Sequence, residues 1–379
     1  MAWSSQRYIS AGLKLGFSPD VLNIASEQLE QHITGLPPFP ALLTLNHLAK
    51  RTNVPYLELR PLVRGQKPDA YHHFYIRKKS GGHRRISVPE PTLMRIQQWI
   101  ATHILNIAPV HQASYAFSPG SSIYKCAYQH RKARWLIKMD VTGFFGSISE
   151  IQVYRVFRSF GYQPLIAFEL ARLTTYAPIS SPRYLLKEWQ ARTHSSPIDD
   201  YHRANIGYLP QGAPTSPMLS NLVMRSVDER IAKIAEKYGL RYTRYSDDIT
   251  FSTTAEFDRK RARDVIRSVT KMLTRVGLHV NAGKTVVVPP GGRKVVLGLL
   301  VDGPEPKLSR DFRSNLRQHI FFLESLGPME HAKARGFETI SGMYRHIRGL
   351  IDFANMVDAD YAAELLSRFQ RVNWPFAIP

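Results

Sequence analysis

The sequence predicts an α+β core followed by a helical C-terminal domain. Three observations predict it. Alternating residues on either side of a Gly-Gly turn mark a hairpin between Phe74 and Pro89. The stretch RYTRYSDDITFS, Arg241 to Ser252, reads as a second hairpin, two β-forming runs around a pair of acids. Beyond Pro306 the apolar residues recur at helical spacing to the end of the chain. Strand-rich, then mixed, then helical is the order of an α+β architecture.

Taken in order, residues 1–70 are helical, and PALLTLNHLAKRTNVPYLELRPLV is interrupted at Pro55. The first hairpin follows. A helix is expected over Thr92–Ile107, ending before Pro109. ARWLIKMDV is a short apolar strand that delivers Asp140, and Ser149–Leu173 is helical. Residues 176–206, rich in Pro, Ser and charge, read as a long inserted segment. Ser216–Tyr238 is a helix, as is Lys260–Val276, closed by Gly277. TVVVPPGGRKVVLGLLV reads as a further hairpin turning at Pro289–Gly292. In LSRDFRSNLRQHIFFL, Ser309 is an N-cap, Phe312, Leu316, Ile320 and Leu323 share an apolar face, and Arg310, Arg313 and Arg317 share another.

The 379 residues carry 51 Lys and Arg against 30 Asp and Glu, a formal charge of +21. Such an excess points to a polyanionic partner, nucleic acid first. From Phe74 to Met139 there are eleven Lys and Arg and a single acid, Glu90, a plausible electrostatic track. No run approaches the ~18 apolar residues of a membrane span, and MAWSSQRYISAGLKLGF has no signal-peptide core. Cys126 is the only cysteine, which leaves no internal disulfide and no multi-cysteine zinc site. The expectation is a cytoplasmic nucleic-acid-binding protein with no membrane partner.

In so basic a chain, Asp247 and Asp248 at a hairpin tip are conspicuous. Turn-forming acids are the ordinary explanation. Asp140, ending another strand, changes the reading, because it is placed to meet them on one sheet. Carboxylates a few Å apart need protons or cations to coexist. Mg²⁺ takes hard oxygen ligands, and two such ions ~4 Å apart suit in-line phosphoryl displacement.

These residues resemble a known family. YSDD resembles the Y/F-x-D-D box of reverse transcriptases, KMDVTGFFGSI their first catalytic motif, and GYLPQGAPTSPMLSNLVM the P-Q-G-x-x-x-S-P motif. RKKSGGHRRISVPEPTLMRIQQWI resembles the fingers motif of group II intron and retron enzymes, and GLHVNAGKTVVV the motif that supplies a lysine. The order and spacing agree over roughly residues 70–350. The chain is most similar to bacterial retron reverse transcriptases, although Val296–Leu297–Gly298 stands where many of them carry V-T-G.

The resemblance implies a right-hand polymerase fold: an N-terminal helical extension over 1–70, fingers and palm over 71–302 with the 176–206 insertion, and a helical thumb over 303–379. It implies that Asp140 and Asp247 hold two Mg²⁺ ions, with Asp248 as a supporting ligand and Mn²⁺ as a substitute. It implies that Lys284 serves the leaving pyrophosphate, that Phe145 lies under the sugar and excludes a 2′-hydroxyl, and that Gln211 and Gly212 line the site. Lys78 and Arg84, with Lys79 and Arg85, would clamp phosphates; adjacent Arg84 and Arg85 point to opposite faces of an extended strand, and the resemblance favours Arg84. Arg131, Lys132, Arg134, Arg310, Arg313 and Arg317 would hold nucleic acid. His130 would contact RNA or be a satisfied structural residue.

The implied function is that of a retron RNA-directed DNA polymerase. It would act with dNTPs on its cognate noncoding RNA, yield a branched RNA–DNA product, and pair with an effector protein from the same operon in defence against phage. The alternatives are a defence-associated or group II-like reverse transcriptase with different priming, and a catalytically silent RNA-binding scaffold, against which the intact Asp140, Asp247, Asp248 and Lys284 argue. A two-metal nuclease would have no use for the LPQG element or Phe145.

Overall fold

The computed structural model describes residues 4–67, 69–77, 81–177 and 206–376. Helices α1 (Ser5–Lys14), α2 (Pro19–Thr34), α3 (Leu45–Thr52) and α4 (Tyr56–Arg64) come first. Ser4, Ser18 and Thr44 cap the first three by accepting a backbone N–H. Strands β1 (Tyr71–Arg77) and β2 (His83–Pro89) form the expected antiparallel hairpin. The next helix, α5 (Pro91–Ile100), continues as a wider turn over Ala101–Leu105, so the helical stretch stops just short of the expected boundary. After α6 (Ile123–Tyr128) comes β3 (Trp135–Thr142). The helical stretch expected over Ser149–Leu173 is two helices, α7 (Glu150–Ser159) and α8 (Pro164–Thr174); Gly161 at φ +89° and Pro164 break it.

Residues 178–205 of the expected insertion lie outside the described residues. Its two flanks meet: Tyr176 and Tyr208 exchange backbone hydrogen bonds of 2.9 and 3.0 Å. Helix α9 (Ser216–Lys237), strands β4 (Arg241–Tyr245) and β5 (Asp248–Thr253), and helix α10 (Arg259–Arg275) follow the expectation closely.

A five-stranded antiparallel sheet organises the molecule. Its order is β4-β5-β3-β6, with β6 (His279–Val280) and β7 (Val286–Val288) pairing successive parts of β3. Alternation along the strands gives it two different faces. Ile137, Met139 and Val141 of β3, with Ile249 and Phe251 of β5, face the larger core, where α9 and α10 supply Ile231, Val265, Val269 and Leu273. Lys138 and Asp140 of β3, with Asp248, Thr250 and Ser252 of β5, face the other way.

One expectation is corrected here. Residues 285–301 are not a hairpin turning at Pro289–Gly292: β7 adds to β3, whereas β8 (Val295–Val296), β9 (Leu299–Leu300) and β10 (Lys307–Leu308) form a separate three-stranded sheet. The tight turn is instead Leu297–Gly298, both at positive φ, +50° and +86°, as a two-residue hairpin demands. Helices α11 (Arg310–Ala334), α12 (Ile340–Asn355) and α13 (Ala359–Gln370) complete a second core, which reaches Leu136 of β3. Gly327, at φ +78° and followed by Pro328, kinks α11. No helix among the described residues is long and apolar enough to cross a membrane.

Candidate active site

Asp140 and Asp248 are register partners across β3 and β5, so their side chains leave one face of the sheet side by side. Asp247 follows Ser246 in the two-residue turn closed by the Tyr245–Asp248 pair. The N–H of Val141 donates to the Asp247 carbonyl at 3.1 Å, and that of Asn281 to the Asp140 carbonyl at 2.8 Å. The tip is therefore sewn to the strand that carries the third acid.

Ser246 sits at φ +58°, the first central position of the turn, where glycine is usual. For a residue with a Cβ this costs roughly 1 kcal/mol. The conformation is held from beneath by Arg244, whose Nη1 donates to the Ser246 carbonyl at 3.0 Å. Arg244 is fully buried, 0 % exposed. Its Nε and Nη2 meet the two oxygens of Asp228 at 2.9 and 2.7 Å, and Nη1 also reaches Asn221 Oδ1 at 3.1 Å. The Tyr242 hydroxyl donates to Asp228 at 2.6 Å. Asn221 in turn donates to the Ala116 carbonyl and accepts from Ser114. Sequence reasoning missed this network. Its signals were an arginine inside a strand, one residue before the turn tyrosine, and Asp228 on the apolar side of α9.

The acids are electrostatically strained. Burial pushes the Asp247 carboxyl above its ordinary range, with Asp140's charge adding to the push against its hydrogen bonds and Lys284. Burial raises Asp248 too, followed by repulsion from Asp247. Lys284 Nζ touches Asp140 Oδ2 at 2.9 Å, and that hydrogen bond raises the lysine above its ordinary value. Among the described residues no three His, Cys, Asp or Glu side chains already converge as a closed ligand set. The donor set nevertheless fits a hard divalent cation: oxygen donors from two neighbouring strands and their turn, mutually repelling and incompletely neutralised.

The other sequence-predicted residues fall into two groups. Around the acids, Phe144 is buried while Phe145 is half-buried, its ring centroid 6.2 Å from that of Phe117. Gln211 accepts the Ser87 N–H at 2.7 Å, which ties the β1–β2 hairpin to the loop before α9. Gly212, at φ +114°, lies so close that a Cβ would stand 2.8 Å from Ile86 Cγ2 and 3.0 Å from the Ser87 carbonyl. Arg84 is exposed on the strand face it shares with Ile86, toward Gly212. Arg85 leaves the opposite face, donates to the Tyr176 hydroxyl at 3.2 Å and stacks over that ring. Lys78 and Lys79 lie outside the described residues.

Away from the acids, Arg131, Lys132 and Arg134 precede β3, and Arg134 is six residues from Asp140, about 20 Å along a strand. Arg131 stacks on Tyr128, while Lys132 and Arg134 are exposed. His130 is fully buried, its two ring nitrogens on Ser252 Oγ and Thr243 Oγ1 at 2.7 Å each, and burial lowers it to about 3. It is a structural residue, packed on the same face of the sheet as Asp140 and Asp248 but toward the other end of the strands. On α11, Arg310 and Arg317 are exposed, whereas Arg313 pairs with Asp358 and stacks on Tyr361 of α13.

Comparison with known proteins agrees with this geometry. The profile of the reverse transcriptase (RNA-dependent DNA polymerase) family matches residues 76–299. The chain is 30% identical to the retron Mx162 reverse transcriptase of Myxococcus xanthus over 82% of its own length and 63% of that protein's. It is 27% identical to the retron Ec86 reverse transcriptase of Escherichia coli over 88% and 91% of the two lengths. The chain thus spans just under two thirds of the Myxococcus relative and most of the other. Among solved structures, a Candida albicans telomerase in complex with a fragment of telomeric RNA aligns at a TM-score of 0.42 and 13% identity, over 80% of this chain and 63% of that one. Running from Ile76 in β1 to Leu299 in β9, the family match encloses every strand of the carboxylate-bearing sheet, the described elements are α+β, and the chain belongs to the reverse transcriptase (RNA-dependent DNA polymerase) family.

Proposed function

We propose that the chain is the RNA-directed DNA polymerase of a retron, copying part of a cognate structured noncoding RNA into branched single-stranded DNA, in the cytoplasm and in antiphage defence with an effector protein. The observation that carries the polymerase reading is the carboxylate trio of Asp140, Asp247 and Asp248, brought together by β3, β5 and their turn inside the family match. The retron relatives support the finer reading. Residues 71–302 would be fingers and palm, 303–379 the thumb, and 1–70 an N-terminal extension.

Family membership implies dependence on a divalent metal. Asp140, Asp247 and Asp248 would hold it, as two Mg²⁺ ions or Mn²⁺ in their place. Bound there, such ions supply charge neutralisation and polarise phosphate oxygens. The chain's own residues do the positioning. Arg84 would fork onto phosphates of the incoming dNTP, since Arg85 is committed to Tyr176. Lys284, kept protonated by Asp140, is a cation that phosphate can draw across. Gln211 and Gly212 fix how closely the β1–β2 hairpin approaches the nucleotide. Arg310 and Arg317 would face the duplex, and Arg313 would stiffen the helices that present them.

Phe145 would reject a 2′-hydroxyl by contact, a preference built on steric exclusion. Phe145→Ala is therefore expected to lower discrimination against ribonucleotides by about 10- to 100-fold, of the order a pocket contact supplies, with dNTP use retained. Steady-state incorporation of each dNTP and its rNTP measures this, and an unchanged ratio would sink the assignment.

The function is tested on nucleic acid copurified with the chain from its native locus, digested separately with RNase and DNase, treated with debranching enzyme and sequenced. Short DNA joined to structured RNA through a 2′–5′ bond is expected. Unbranched or protein-linked DNA would keep the polymerase and discard the retron. RNA alone would favour the silent scaffold.

A further inference from the structure

We infer that the outer face of α10 is a second polyanion-binding surface, which takes the sugar–phosphate backbone of structured RNA on the side of the sheet opposite the carboxylates. Arg259, Arg263, Arg267, Lys271 and Arg275 recur every fourth residue and are all exposed. At 1.5 Å rise per residue they form a row with steps of about 6 Å and a length of about 24 Å. Lys260 and Arg261 add to its start.

This row works against its own helix. Like charges four residues apart destabilise a helix, and the row contains four such steps in succession. Three cations in the first turn oppose the helix dipole, and the one acid there, the N-cap Asp258, accepts the Arg261 N–H at 2.7 Å. Neighbouring acids neutralise little of it. Asp258 pairs with Arg261 at 3.6 Å and Asp264 with Arg267 at 3.7 Å, both in solvent. Among the described residues no acid pairs with Arg259, Lys260, Arg263, Lys271 or Arg275. A local arrangement that opposes stability with so little internal compensation marks a place where an external group completes it.

The ligand class follows from the chemistry. Regularly spaced arginines suit regularly spaced phosphates, which their planar forks grip bidentately. A membrane surface fits poorly, because the apolar side of α10, Ala262, Val265, Val269, Met272 and Leu273, is buried in the core and nothing is left to insert. Position separates this surface from the cleft. α10 packs on the face of the sheet formed by Ile137, Met139, Ile249 and Phe251, while Asp140 and Asp248 leave the other. A template and primer over the acids leave the row free for another part of a folded RNA.

The test compares the full chain with a triple variant, Arg263→Glu, Arg267→Glu and Lys271→Glu. The probe is a blunt hairpin RNA of about 16–20 base pairs, titrated in the presence of saturating short template–primer. Hairpin affinity is expected to fall about 10- to 100-fold, and the slope of log affinity against log salt to shrink by about 2–3. Extension of the short template–primer is expected to be unchanged. The Gln triple variant, which removes charge without reversing it, is expected to melt no lower than the parent and to bind between the two. Unchanged hairpin affinity and slope in either variant would make α10 a merely solvated face. A parallel loss of template–primer extension with an intact melt would merge the row with the cleft, and binding retained for RNA but lost for an acidic protein would assign a different partner. If the parent chain fails to extend any template–primer, the polymerase reading fails and the hairpin comparison still decides this one.

Discussion

Asp247→Asn is expected to reduce DNA synthesis by at least about 10³-fold, some 4 kcal/mol of transition-state stabilisation, while the melting temperature holds or rises. The side chain keeps its size, so packing is undisturbed. What changes is charge. In the folded chain burial and the Asp140 carboxylate both disfavour ionised Asp247, so the native acid weakens the fold it sits in. The sign follows from linkage: a carboxyl raised on folding opposes stability above its ordinary range, and the neutral amide removes that opposition. A harder test adds Asp248→Asn, since Asp248 is raised for the same reasons. Nucleic-acid affinity, measured at fixed salt, should be nearly unchanged. Synthesis surviving in the double variant would remove these residues from the chemistry, and a loss of synthesis that merely tracked a lower melting temperature would make their role structural.

Arg244→Met carries the largest expected cost in stability, about 3–5 kcal/mol, because it strands Asp228 as a buried unpaired charge. Methionine fills much of the space but returns none of the hydrogen bonds that the guanidinium donates to Asp228, Asn221 and the Ser246 carbonyl. The informative companion is the double variant with Asp228→Leu. Removing both charges of a buried pair is often close to neutral, so the melting temperature should recover most of its loss. Synthesis should stay at least about tenfold down, because the Ser246 carbonyl at the tip of the carboxylate-bearing turn is still released. Thermal melts and single-turnover extension separate the two effects. A double variant with full activity would mean that the turn holds its own shape and that Arg244 serves stability alone.

How much of this was legible beforehand differs from residue to residue. The hairpin around Asp247 and Asp248, the strand carrying Asp140 and helix α9 were readable because their signals are local: β-forming runs, turn residues and helical spacing within one short window. The stretch at 285–301 misled for the same reason. Locally it is two apolar runs around Pro-Pro-Gly-Gly, yet its first run found a vacant edge on β3 and its second paired with β9, and pairing between distant segments leaves no trace in a local pattern. The resemblance favoured Arg84 over Arg85, but the residues themselves showed no difference until β2 had a partner and a covered face. The three arginines of α11 looked equivalent on a helical wheel, and only the arrival of α13 set Arg313 apart.

By itself, then, the sequence determined the α+β class, the acids, and the lysine that meets Asp140, because each rests on residue types within a few positions of one another or on motifs in order. Tertiary structure alone decided that Arg85 is held by Tyr176, that His130 is locked against Ser252 and Thr243, and that a fully buried Arg244 braces the turn through Asp228. Those outcomes depend on partners 14 to 122 positions away, and burial, which turns a charge from a solvated ornament into a costly structural commitment, exists only once such partners have met.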